Sequence, residues 1–244
     1  MLLNGEASTR FPTMRLETLP NRDSLLYKDL YAIPDAHSIC RGTLRYEGWS
    51  NIMYALRVLG VFEESAPTAS TFKELLSHKL NATGSKEVIS ALHAHLSAGG
   101  VRDVPAAIDA IKWLGLLDGS AAMSDPSSPL ESMCSLLTDK LQFSESEKDM
   151  VGMYHSVVGE MPDGTVENHS SRLLAFGTPG RHGETAMAAT VGYTTAAAAE
   201  LILNGQFVRP GVSIPITPDL YNPILKRIQE FGINWTEDIT TNSK

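Results

Sequence analysis

Cysteine is scarce in this sequence. Only Cys40 and Cys134 occur in 244 residues. Two thiols cannot build a disulfide scaffold, and they form no metal-ligand spacing; a reducing compartment suits them. Positive charge is also short: 20 Lys and Arg stand against 28 Asp and Glu, for a net charge of −8. No basic block occurs, which argues against a nucleic-acid surface, since backbone binding needs clustered cations. Long apolar runs are missing too. The start, Met1-Leu2-Leu3-Asn4, has no basic region and too short an apolar stretch for a signal peptide. Residues 185–203 are alanine-rich but carry four Thr, Tyr193 and Glu200. A span needs roughly 20 mostly apolar residues, so a buried helix of a soluble protein is the expectation and no membrane partner is implied. No Gly-x-Gly-x-x-Gly turn, Walker-type loop, Gly-x-Ser-x-Gly elbow, His-x-x-x-His pair or Cys-x-x-Cys pair is present. Nucleotide, serine-hydrolase and metal chemistry therefore have no local signature, and no metal site is expected.

What is present fits an acidic, intracellular globular chain of one or two domains, 43% hydrophobic and 20% charged. The pattern runs strand-rich, helical, strand-rich, helical. Met14–Leu19 alternates as a strand does, residues 20–24 are a turn cluster, and a short helix over Leu25–Tyr31 ends before Pro34. Ser38–Tyr46 reads as a second strand. Five helices are then predicted: one capped by Ser50 and ending at Gly60, then Thr71–Leu80, Ser85–Leu96, Asp103–Leu116, and one opened by Ser128-Pro129-Leu130-Glu131 as a capping box. Met150–Val158 and Thr165–Phe176 flank Met161-Pro162-Asp163-Gly164, a hairpin signal. Thr185–Leu203 is one long helix. Thr217-Pro218 opens another helical stretch, with Pro223 expected at the start of the helix body because a deeper proline breaks it. Nothing past Trp235 looks packed.

Three groups of residues are candidates for chemistry. His155 and His169 lie on the two hairpin strands, and His93 and His95 on different faces of one helix. Gly177-Thr178-Pro179-Gly180-Arg181-His182-Gly183-Glu184-Thr185 precedes a long helix; it is either an anion site assisted by Arg181 or a plain strand-to-helix connection. Arg22, in a turn, and Arg41 and Arg45, flanking Gly42-Thr43-Leu44, are the third group. Guanidinium groups grip carboxylates with two parallel hydrogen bonds, so this group suits a small polycarboxylate.

Leu19-Pro20-Asn21-Arg22-Asp23-Ser24, followed by Arg41-Gly42-Thr43-Leu44-Arg45-Tyr46-Glu47-Gly48, resembles the saccharopine dehydrogenase (NADP, L-glutamate-forming) family, also called saccharopine reductase. Its dehydrogenase part also occurs in bifunctional aminoadipic semialdehyde synthase. Four further blocks agree in order: Trp113–Leu116, Glu147–Val151, Thr185–Tyr193 and Pro218–Leu225. The resemblance covers only the C-terminal half of the family. It implies an α+β fold: a mixed-sheet substrate-binding and dimerisation domain (residues 1–47 and 145–184) with an inserted all-α domain (48–144). Helices in 185–235 would pack on the cofactor domain, and 236–244 would be a tail. It implies saccharopine as substrate, NADP as cofactor, a homodimer, and substrate contacts from Arg22, Thr43, Leu44 and Arg45. The family's Rossmann domain and acid–base residues lie upstream of anything present, so no catalytic residue is expected in this chain. The implied activity belongs to lysine metabolism by the aminoadipate route. Its setting is cytoplasmic, or mitochondrial if a targeting segment lies upstream. The alternative is a non-catalytic saccharopine- or glutamate-binding or dimerisation module.

Overall fold

The computed structural model describes residues 6–8, 10–21, 23–82, 84–180 and 182–242. Helices and strands both occur, the strands in two separate three-stranded sheets. Every pairing between described strands is antiparallel, so the expected mixed sheet is replaced by two small antiparallel ones. The β1–β2 and β4–β5 links are short, and a parallel pair needs a crossover of a dozen or more residues. The contacts divide the chain into two compact units, Met1–Leu25 with Ser38–Gln142, and Leu26–His37 with Phe143–Lys244.

The first unit holds β1 (Glu6–Ser8), β2 (Leu16–Pro20) and β3 (Gly42–Tyr46), in that order across the sheet. Leu16 and Leu19 of β2 are buried. Five helices follow: α2 (Trp49–Val58), α3 (Phe72–Leu80), α4 (Ser85–Ala98), α5 (Val104–Trp113) and α6 (Pro129–Lys140). The short α1 (Leu26–Leu30) precedes them in the chain and belongs to the second unit. Leu56, Leu59, Phe72, Leu76, Leu92, Leu96, Ile111 and Met133 form the core of the helical part. Sequence caps act as their chemistry demands: Thr71, Asp103 and Ser128 accept from the backbone N–H groups of Glu74, Ala106 and Glu131. Replacing Thr71 by Ala is expected to lower stability by about 1 kcal/mol, read as a shift of the urea midpoint. Ser50 is not the cap of α2. The helix starts two residues earlier, after Gly48, and Ser50 is buried within its first turn.

In the second unit, β4 (Met150–Glu160) and β5 (Val166–Phe176) form the expected hairpin, in register Met150↔Phe176 to Glu160↔Val166. Gly164 takes a positive φ of 82° in its turn, which glycine tolerates. α7 (Ala186–Leu203) and α8 (Pro218–Glu230) pack through Ala197, Leu201, Leu220, Ile224 and Ile228. Three findings correct the sequence expectations here. Pro223 lies inside α8. Its cost of about 3 kcal/mol is outweighed by burying Leu220, Ile224 and Ile228 on both sides of it, at about 1.5–3 kcal/mol each. Residues beyond Ile233 form β6 (Trp235–Asn242), which pairs with β5, although its side chains past Trp235 remain exposed where described. Finally, α7 is not a buried helix. Met187, Val191, Ile202 and Leu203 are exposed, and only Ala186, Ala197 and Leu201 are buried. A helix apolar on all sides gives no sequence moment to mark its packed face.

Candidate functional site

The two arginine-bearing motifs meet at the head of β3. Asn21 donates its N–H to the Arg41 carbonyl at 2.9 Å, and the Arg41 N–H donates to Ser24 Oγ at 2.9 Å. Ser24 is buried, and Asp23 accepts from the Leu25 N–H, closing a local turn. The turn is thereby tied from both sides to the residue that precedes Gly42. Arg22 itself lies outside the described residues.

Gly42 is required where it stands. A Cβ there would sit 2.6 Å from Thr18 Cγ2 and 3.3 Å from the Leu19 carbonyl. In the β2–β3 register, Thr43 opposes Leu19, Leu44 opposes Thr18 and Arg45 opposes Glu17. Thr43 and Arg45 therefore share one face of the strand and Leu44 takes the other. Leu44 can join a site on the Arg45 face only through its main chain. Arg45 is exposed; its Nη1 donates to the Leu44 carbonyl at 2.8 Å, and its Cζ lies 5.3 Å from the centroid of the Trp49 ring. By contrast Arg15 pairs with Glu47, and Arg209 with Asp219.

The opposing Glu17 is buried and faces the start of α2. Its carboxylate accepts from the Ser50 N–H at 2.6 Å and the Gly48 N–H at 3.4 Å. Gly48, with φ 93°, has no side chain to cap the helix, so the carboxylate from β2 does so. Sequence reasoning missed this residue, because its partners lie more than thirty positions away.

The glycine-rich stretch resolves as a connection. Asp149 accepts from the N–H groups of Ala186 at 2.7 Å and Met187 at 2.9 Å, and Thr185 accepts from Ala188. The amides at the start of α7 are thus already bound by a carboxylate of the chain. The turn is closed by Thr178 N–H to the Glu184 carbonyl and Gly183 N–H to the Gly180 carbonyl. Glu184 also accepts from Tyr193 Oη at 3.1 Å, which raises the Tyr193 pKa. Arg181 lies outside the described residues.

The remaining candidates gather less. His155 and His169 stand diagonally on the same face of the hairpin, and His169 pairs with Glu167 at 2.8 Å. His95 contacts the Val58 carbonyl. No group of three or more His, Cys, Asp or Glu side chains that could hold a metal occurs among the described residues. A cleft of about 490 Å³ between α7, α8 and their connecting loop is mostly apolar at its walls. Its cation, Arg209, is held by Asp219 at 2.6 Å. The pKa of Asp219 is lowered, first by a hydrogen bond with Thr217 and also by Arg209.

Residues 4–233 match the family described as the saccharopine dehydrogenase C-terminal domain. Saccharopine dehydrogenase [NADP(+), L-glutamate-forming] of Saccharomyces cerevisiae is 34% identical over 232 residues, covering 91% of this chain and 51% of that protein. Mitochondrial alpha-aminoadipic semialdehyde synthase of Bos taurus is 35% identical over 237 residues, covering 94% of this chain and 25% of that protein. The apo histidine-tagged saccharopine dehydrogenase (L-Glu forming) from Saccharomyces cerevisiae superposes with a TM-score of 0.85 at 30% identity, covering 98% of this chain and 55% of that one. The chain spans about half the length of the saccharopine dehydrogenases it matches and about a quarter of the synthases. On sequence and fold together, this chain belongs to the saccharopine dehydrogenase C-terminal domain family.

Proposed function

We propose that this chain is the saccharopine-binding half of an L-glutamate-forming saccharopine dehydrogenase. In the whole enzyme, saccharopine, NADP⁺ and water become 2-aminoadipate 6-semialdehyde, glutamate, NADPH and a proton. Hydride leaves the carbon of the secondary amine, the resulting imine takes up water, and the C–N bond breaks; synthesis runs the same steps backwards. This half holds the substrate's carboxylates. Arg22 and Arg45 grip them, the Thr43 hydroxyl adds a donor, and Leu44 contributes main chain. Arginine suits the task because it keeps its charge at any working pH and presents a planar fork. Fixing the carboxylates aims the reacting carbon, and positioning of this kind lowers the barrier.

The observation that carries this reading is the double tie of the 21–24 turn to Arg41. It brings Asn21 and Ser24, which flank position 22, to the head of the strand that bears Thr43 and Arg45. NADP supplies the hydride acceptor. The turn before α7 does not fit its phosphates, because Asp149 already occupies the amides that an anion would need. We therefore assign the cofactor to a Rossmann half outside this chain, and with it the acid–base residues. In this reading residues 48–144 are a helical insertion between sheet-forming stretches, and the apolar outer face of α7 packs on the cofactor half. The assembly is a cytoplasmic or mitochondrial homodimer.

Two measurements test the reading. Calorimetry with saccharopine on the chain alone is expected to show binding, and no binding at millimolar ligand overturns it. NADPH, 2-aminoadipate 6-semialdehyde and glutamate incubated with the chain alone are expected to give no turnover. Robust turnover would place the cofactor site within these residues and reject its assignment elsewhere.

A further inference from the structure

We propose that Trp49 is a positioning residue for Arg45, its indole face holding the guanidinium in place for a carboxylate. The inference rests on the binding role proposed above for Arg45 and deepens it. Arg45 is the penultimate residue of its strand, shortly before the Gly48 turn, and Trp49 opens α2, so four positions separate a cation from an aromatic ring across a bend. The Arg45 Cζ stands over that ring at 5.3 Å, within the range of a cation–π contact.

Two features make the contact a device for binding rather than incidental packing. The first is the charge left uncompensated. Glu17 lies directly across the ladder from Arg45, where an opposite charge ordinarily pairs. Its carboxylate instead accepts from the Ser50 and Gly48 N–H groups and makes no ion pair with Arg45. Arg45 is therefore held by one carbonyl and one ring, neither of which neutralises it. A ring covers the face of a guanidinium and leaves the N–H groups along its edge for a carboxylate.

The second feature is the rigidity of the platform. Ser50, next to Trp49, is tied to β2 through Glu17. Asn51 accepts from the N–H groups of Arg102 at 3.1 Å and Asp103 at 3.0 Å, and donates to the Asp103 carbonyl at 2.8 Å. The first turn of α2 is thus fixed both to the sheet and to the start of α5. Trp49 is half-buried on that turn. Arginine loses much rotamer freedom when it binds, and a partner that restricts it beforehand lowers that loss.

The test has two arms on the full 244-residue chain. Without ligand, nuclear magnetic resonance follows Arg45 Hε. The ring current should shift it upfield in the wild type and in Trp49→Phe, and release it in Trp49→Leu. With saccharopine, calorimetry should show Trp49→Leu binding about fivefold more weakly and Trp49→Phe within about twofold of wild type. In an Arg45→Ala background, Trp49→Leu should have no further effect. An Hε resonance that does not move in Trp49→Leu overturns the proposal, as does equal weakening in the Arg45→Ala background. If Arg45→Ala binds saccharopine like the wild type, the clamp reading fails, and the resonance arm still decides whether Trp49 holds Arg45. Should Trp49→Leu lower the urea midpoint strongly, Trp49→Met replaces it in both arms.

Discussion

Saccharopine binding to this chain is expected to weaken by about thirtyfold when Arg45 is replaced by alanine, the loss of a charge-assisted, two-point grip on one carboxylate. The effect is large because nothing else at that position compensates. The opposing Glu17 is committed to the start of α2, and Arg45 already lacks a carboxylate of its own. Removing the side chain therefore leaves no internal carboxylate unpaired and costs the ligand its full contact. Arg45→Lys keeps the charge but loses the fork, so it is expected to recover only part of the affinity. Arg22→Ala is expected to act in the same sense. Arg15→Ala serves as the control: Arg15 pairs with Glu47 and is highly exposed, so its loss should leave affinity unchanged. Binding by the wild type should also fall as salt rises, because an exposed ion pair is screened. Calorimetry with saccharopine at two salt concentrations reads all of this. An Arg45→Ala variant within twofold of wild type would remove Arg45 from the site.

How much of this was legible in the sequence depends on the range of the interactions. Local chemistry reads well. Thr71, Asp103, Ser128 and Thr185 cap the helices that follow them, because a cap reaches only three residues ahead. Asp163-Gly164 turns the hairpin for the same reason, with Asp163 accepting from the Thr165 N–H. The Arg22 and Arg45 motifs are recognisable as motifs, yet they meet through the Arg41 main chain, which bonds Asn21 and the Ser24 hydroxyl of a separate segment. Long-range polar contacts leave no period or spacing to read. Glu17 looks like any polar residue of an alternating strand, and only the fold brings the bare start of α2 to it. The outer face of α7 was hidden for another reason. Alanine, valine and methionine on all sides fit a buried helix as well as one with a partner, and burial alone separates the two.

The largest stability effect is expected from substitution of Gly177, where a second long-range contact joins β5 to α7. Gly177, at the exit of β5, donates its N–H to the Asp149 carbonyl at 3.0 Å, while the Asp149 carboxylate holds the start of α7. A Cβ on Gly177 would lie 2.1 Å from Asp149 Oδ1 and 2.8 Å from the Ala186 nitrogen. A flexible carboxylate could swing away, but this one is pinned by two helix amides, and the second obstacle is backbone. Gly177→Ala must therefore either break the cap or part the strand from the helix. Both routes sum an overpacking cost and a lost cap, about 3 kcal/mol together. Asp149→Ala alone removes the cap, for about 1–2 kcal/mol. The two changes should not add: with Asp149 already alanine, the nearest clash is gone, and Gly177→Ala should cost measurably less than in the wild type. Urea unfolding followed by hydrogen exchange reads the result, with lost protection expected in β4, β5 and α7 and unchanged protection in α3–α5. A Gly177→Ala chain with the wild-type midpoint, or strictly additive losses in the double variant, would show that Asp149 does not join β5 to α7.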